Sequence, residues 1–270
     1  MAHFKLDGVA LVVGAAGGIG REVACAQIAE QSRSLAKNPE YKCLSARVDV
    51  VDVESVEEMV DFAVKTFGRI DYCINAFGVD VAEYVPFHLT TPEDYDRVTG
   101  INTKGPFLVT RAVSKIMLSQ DPVQVDLGRL GRRDIGRGSI VNVSSAMALV
   151  AVPAKAPYTT SKHAVTGVTK AAAMDLKSAG IRVNQVCPSW VRTPMFEEEC
   201  RRIPQTPDVI DKLSPIKRAI EPDEVAAGCL YLCSPSTVAV NGLTLTIDTG
   251  ILVGAYYRLF LLAKIQFLRT

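Results

Sequence analysis

The sequence predicts an α/β fold, one doubly wound parallel sheet with helices on both faces, and three observations carry that prediction. A continuous apolar run, Val9 to Val13, enters the glycine-rich turn Gly14-Ala15-Ala16-Gly17-Gly18-Ile19-Gly20 and then helical periodicity through Val23, Ala24 and Ile28. Further short apolar runs, at residues 70–75, 140–143, 181–186 and 243–248, read as strands buried on both faces rather than on one. Between them lie amphipathic stretches that can serve as the crossovers parallel strands require.

At 270 residues and 48% hydrophobic, the chain can bury one large core, so residues 1–250 are read as a single domain followed by an apolar tail over 251–270. Net charge is +1, from 30 basic and 29 acidic residues, which supplies no field to recruit nucleic acid or a membrane surface. The seven cysteines, at 25, 43, 73, 187, 200, 229 and 233, form no Cys-x-x-Cys and have no histidines at zinc spacing. Reduced thiols in a cytoplasmic protein without a metal site fit that pattern. No apolar run of signal-peptide length precedes the first strand, and Arg258, Lys264 and Arg269 make the tail a poor membrane span.

Taken in order, the elements begin with the strand at 9–13 and its glycine turn. Glycines let a backbone approach a pyrophosphate, whose charge suits the N–H groups at a helix start. A second strand ending in a ribose-reading residue is expected about 20 positions later. Instead Gln31 to Asn38 is polar and Asn38-Pro39 breaks it, so the next strand is assigned to Cys43 to Val50, with Asp49 at its end. Paired beside Val9–Val13, that strand gives a six-stranded sheet. Asp52 caps a helix with the stripe Val56, Met59, Val60, Ala63, Val64 and Phe67, ended by Gly68. The strand at 70–75 leads into Asn75-Ala76-Phe77-Gly78. Thr91-Pro92 starts a helix, and Asn102-Thr103-Lys104-Gly105 interrupts it or begins the next. Residues 120–138, with Arg129, Arg132, Arg133 and Arg137 offset by Asp126 and Asp134, read as a solvated surface loop. The strand at 181–186 leads to Cys187-Pro188-Ser189-Trp190-Val191-Arg192-Thr193-Pro194. The charged, proline-punctuated stretch 196–214 reads as a mobile lid.

The stretch from Ser139 to Lys162 holds the candidate chemistry. Ser144 and Ser145 fall where a buried strand opens toward a cleft, and Pro157 suits the first position of a helix. On that helix Tyr158 and Lys162 are four apart and share a face, while His163 points elsewhere. A phenol beside an ammonium is a proton donor whose pKa is tuned.

Together these motifs resemble the short-chain dehydrogenase/reductase family from Gly8 to Gly250, which implies a Rossmann-like fold. The family's glycine pattern matches Gly14, Gly18 and Gly20, its strand-end acidic residue matches Asp49, and its Asn-Asn-Ala-Gly turn corresponds to Asn75-Ala76-Phe77-Gly78, with a bulky Phe77. Asn102, Ser145, Tyr158 and Lys162 match the catalytic tetrad, the serine and tyrosine standing 13 apart. The resemblance implies a cofactor held by Gly14, Gly18, Ile19, Gly20, Asp49, Asn75, Tyr158, Lys162, Val191 and Thr193. It implies proton donation by Tyr158, with Ser145 on the carbonyl oxygen, Lys162 on the nicotinamide ribose and Asn102 anchoring a relay water.

The implied function is an NAD(P)-dependent oxidoreductase interconverting a secondary alcohol and a ketone. Residues 138–162 and 183–195 are most similar to fungal secondary-metabolism members, which points to a polyketide or terpenoid substrate. Two alternatives stand beside it: reduction of a 3-oxoacyl thioester, and a degenerate scaffold or ligand-binding module with impaired cofactor binding. The cofactor is NAD or NADP, with a lean to NAD because Gly17 offers a 2′-phosphate no basic side chain. A homodimer or homotetramer is the default assembly.

Overall fold

A computed structural model describes residues 6–24, 42–126 and 128–253. The stretch at 31–38 and nearly all of the tail lie outside the described residues.

Five strands form one parallel sheet: β1 (Ala10–Val13), β2 (Tyr72–Asn75), β5 (Gly138–Val143), β6 (Ile181–Pro188) and β7 (Thr244–Ile247), in the spatial order β1-β2-β5-β6-β7. The register sets Val13 beside Asn75 and Asn75 beside Asn142, so successive strands end level with one another. Side chains alternate between the two faces of each strand. Cys73, Ile140 and Val183 enter one core, whereas Ile74, Val141, Val143 and Val186 enter the other.

The first core is covered by α2 (Val53–Phe67), α4 (Gly105–Ser119) and α5 (Ala156–Leu176). α2 buries Val56, Met59, Val60 and Ala63, as its sequence spacing predicts, between Asp52 as N-cap and a left-handed Gly68 at φ 83°. The second core is covered by α1 (Gly18–Ala24), through Ile19 and Val23, and by α8 (Pro222–Cys233), through Val225, Cys229 and Leu232. Helices on both faces of a parallel sheet give the doubly wound class.

Two local expectations are corrected. Residues 43–50 form no strand, and the described sheet has five strands rather than six. The segment spends hydrogen bonds on a turn before α2 instead: Asp49 N donates to Ser55 Oγ and Val51 N to Asp49 Oδ1, while Val48 and Val50 rest on the first core. The loop at 120–138 contains an antiparallel hairpin of β3 (Gln124–Asp126) and β4 (Arg132–Asp134). The stretch 196–214 is built from two short helices, α6 (Pro194–Arg202) and α7 (Thr206–Leu213). Among the described residues, no helix is long and apolar enough to cross a membrane.

Candidate active site

The C-terminal edge of a parallel sheet is where exiting loops converge. Here Gly14 follows β1, Ala76 follows β2, Ser144 follows β5 and Ser189 follows β6.

The glycine turn is packed too tightly for side chains at three positions. A Cβ on Gly14, whose φ is 90°, would lie 2.7 Å from Ala76 O, and one on Gly18 would lie 2.8 Å from Thr193 Cγ2. One on Gly20 would strike the carbonyl oxygen of Gly14. Gly17 meets no such neighbour and faces open space. This backbone, leading directly into α1 and backed by Thr193, fits the diphosphate of a dinucleotide. Ile19 turns its side chain into the core.

Phe77 turns away from that cradle as well. Its ring packs against Gly105, where an added Cβ would come within 2.7 Å of Cε2, and it joins the first core. The bulk that stands out in the sequence is thus absorbed by a glycine at the start of α4.

Between α3 (Pro92–Thr99) and α4 lies one π-helical turn, Gly100–Lys104, carrying Asn102. Its insertion aims Asn102 inward at 1% exposure. Oδ1 accepts from Val79 N at 2.8 Å, and Nδ2 donates to Val79 O at 2.8 Å and to Ser161 Oγ at 3.2 Å. Gly78 keeps the neighbourhood open, since a Cβ there would meet Asn102 Oδ1 at 3.1 Å and Lys162 Nζ at 3.4 Å. Asn102 and Lys162 therefore flank the same turn.

Ser145 follows β5 in extended backbone, its Oγ accepting from Met147 N at 3.2 Å, and it acts on the Tyr158 side chain to lower the phenol's pKa. Ser144 instead donates to Lys162 O at 3.2 Å and ties β5 to α5. Lys162 is 4% exposed, with Nζ 5.5 Å from the Tyr158 ring centroid and 3.4 Å from Val143 O. Burial lowers its pKa to about 8, partly countered by Cys187 and Asp80. Burial likewise pushes the Tyr158 phenol well above its usual range, with Asp80 and Glu199 adding to the rise and the Ser145 hydroxyl opposing it. His163 is exposed on another face, with Nδ1 3.0 Å from Thr159 O.

Other candidates are engaged elsewhere. Asn75 lies inside the sheet at 2% exposure, where Nδ2 donates to Asn142 Oδ1 at 2.8 Å. Asp49 is exposed and holds its own turn. Val191 is buried in the second core and bridges Ile220 through its backbone, and Thr193 caps α6, its Oγ1 accepting from Phe196 N at 3.3 Å. Sequence reasoning missed a buried cluster of Lys155, Asp80 and Glu199 beside Tyr158. No local signal marks it, because its ion pairs join residues 75 and 44 positions apart.

A family model described as Enoyl-(Acyl carrier protein) reductase matches residues 12–252. The short-chain dehydrogenase anuF of Penicillium roqueforti is 38% identical over 267 residues, covering 91% of this chain and 96% of the relative. Among solved structures, a 3-oxoacyl-[acyl-carrier protein] reductase from Brucella melitensis in complex with NAD superposes with a TM-score of 0.80 at 26% identity, covering 92% and 98% of the two chains. ElxO with NADP bound gives 0.76 at 26% identity, covering 92% and 100%.

Proposed function

The chain belongs to the short-chain dehydrogenase/reductase family, and from that premise we propose that Ser145, Tyr158 and Lys162, with Asn102 beside them, carry the interconversion of a secondary alcohol and a ketone. The protein is an oxidoreductase acting on CH–OH groups with a nicotinamide cofactor. One observation carries the assignment of roles: the half-buried Tyr158 ring has the buried Lys162 ammonium 5.5 Å from its centroid, with Ser145 on the same side chain lowering its pKa.

A bound nicotinamide supplies the hydride for reduction and accepts it in oxidation. Tyr158 supplies the proton to the carbonyl oxygen, and its raised pKa keeps that proton on the phenol at neutral pH. Ser145 donates a hydrogen bond to the same oxygen as charge develops there. Lys162, with a pKa of about 8, is still mostly protonated near neutrality and favours phenolate when the reaction runs toward the ketone. Asn102 holds the Val79 backbone beside Lys162. Gly14, Gly18, Ile19 and Gly20 would hold the diphosphate through their backbone, and Thr193, with Val191 beside it, would hold the nicotinamide carboxamide. NAD is the favoured cofactor, as Gly17 lines the open side of the turn without a basic group.

A polyketide or terpenoid substrate is supported by the apolar, exposed Leu149 and Val150 that directly follow the Ser145 turn. The arginine-bearing hairpin does not favour a carrier-protein thioester. It feeds β5 at Gly138, whereas Ser145 lies past the other end of that six-residue strand, roughly 20 Å away. Exposed Phe107 and Leu118 on α4 and Met174 on α5 support a homodimer or homotetramer, which gel filtration tests. Cys73, Cys187, Cys200, Cys229 and Cys233 are free thiols, which supports a cytoplasmic location.

The test is fluorescence titration with NADH and NADPH, followed by turnover of ketones and secondary alcohols, with 1-tetralol in the panel. Saturation by one cofactor at micromolar concentration and loss of turnover in a folded Tyr158→Phe variant are expected. Full activity in that variant would sink the assignment.

A further inference from the structure

Beside Tyr158 stands a charge cluster that the hydride chemistry does not itself require. Lys155 immediately precedes α5 and is 6% exposed. Its Nζ lies 2.9 Å from Asp80 Oδ2 and 2.8 Å from Glu199 Oε2. Asp80 comes from the segment after β2 and Glu199 from α6, so a single ammonium ties three parts of the chain across the cleft. The carboxylates are otherwise satisfied. Asp80 accepts from Tyr84 Oη and from Val81 N, both at 2.8 Å, and Glu199 Oε1 accepts from Trp190 Nε1 at 3.1 Å.

The same ammonium lies 5.6 Å from the centroid of the Tyr158 ring, almost the distance at which Lys162 stands, and 5.0 Å from that of Tyr84. The groups facing the phenol are therefore Lys155, Lys162, Asp80, Glu199, the Cys187 thiol and the Ser145 hydroxyl, with Arg202 stacked 4.3 Å from the Tyr84 ring. Two carboxylates near a phenol oppose its ionisation unless a cation balances them. Both do raise the Tyr158 pKa.

We propose that Lys155 is a positioning residue for Tyr158: by bridging Asp80 and Glu199 it seats α6 beside the phenol and balances the carboxylate charge that opposes phenolate. The inference rests on Tyr158 being the acid–base group. Coulomb attraction over such a distance, between protein-like and water-like dielectric limits, corresponds to about half a pH unit to about two.

Two measurements follow the ionisation: the pH profile of kcat/KM for NAD-dependent oxidation of 1-tetralol, and NMR titration of protein labelled with ¹³C at tyrosine Cζ. Tyr158→Phe identifies the resonance. Lys155→Met is expected to move the midpoint up by about one pH unit, a tenfold loss of phenolate at a fixed lower pH. Glu199→Gln is expected to move it down, and Lys155→Arg to restore the wild-type midpoint. Structural damage alone does not produce shifts of opposite sign. Unmoved midpoints, or shifts of the same sign, overturn the proposal. Should Lys155→Met fail to fold, the downward shift in Glu199→Gln decides alone. If Tyr158→Phe keeps full turnover, the acid–base reading itself fails; if it is inactive while the midpoints stay put, only the role of Lys155 falls.

Discussion

Replacing Lys162 by methionine is expected to stabilise the fold at neutral pH while abolishing turnover. The ammonium is 4% exposed and its pKa is lowered from 10.5 to about 8, chiefly by burial. Lowering a lysine pKa by one pH unit corresponds to about 1.4 kcal/mol, so keeping Lys162 charged at pH 7 costs the native state about 3 kcal/mol. Methionine has a comparable volume and no charge, and the bond it loses, to Val143 O at 3.4 Å, is long. The sign with pH follows from proton counting. Between about pH 8 and the unfolded value, the unfolded chain binds the Lys162 proton and the native state releases it, so wild-type stability gains from this group as pH rises. The buried thiols act oppositely, since the raised pKa values of Cys73, Cys187, Cys229 and Cys233 make the unfolded chain the first to ionise. The informative quantity is therefore the difference between variant and wild type in urea unfolding across this range. It should be about 3 kcal/mol near pH 7 and shrink toward zero near the unfolded lysine pKa. A variant less stable than wild type at pH 7, with a difference that does not change with pH, would refute the reasoning.

Gly105→Ala should destabilise by about 1–3 kcal/mol through the clash with Phe77, and adding Phe77→Ala should relieve much of that loss in thermal unfolding. Asn75→Ala leaves Asn142 Oδ1 buried without its donor and is expected to cost about 1–3 kcal/mol in denaturant unfolding. Asp52→Ala removes the cap on Ser55 N, held at 2.7 Å; it should cost about 1 kcal/mol and leave NADH affinity unchanged. A large loss of NADH affinity in that variant would show that the segment before α2 reaches the cofactor.

Part of this site could be read along the chain because its signals are local. Ser145 follows an apolar strand, Tyr158 and Lys162 repeat at helical spacing, and the glycines interrupt a strand-to-helix turn. Where the bulky Phe77 side chain goes could not be read along the chain, because its direction depends on Gly105, at the start of α4. The strand assigned to residues 43–50 failed similarly. Apolar residues there are needed for contact with the first core, and contact alone does not form a ladder.

By itself the sequence determined the α/β class, most of the strands of the parallel sheet, and the shared helix face of Tyr158 and Lys162, because each is encoded by periodicity or spacing close along the chain. Only the tertiary structure decided that Phe77 packs on Gly105, how Asn102 is turned inward by a π-helical turn, and that Lys155 stands between Asp80 and Glu199. Those outcomes depend on where separate strand ends and helices come to rest against one another, and on the charges that burial forces together.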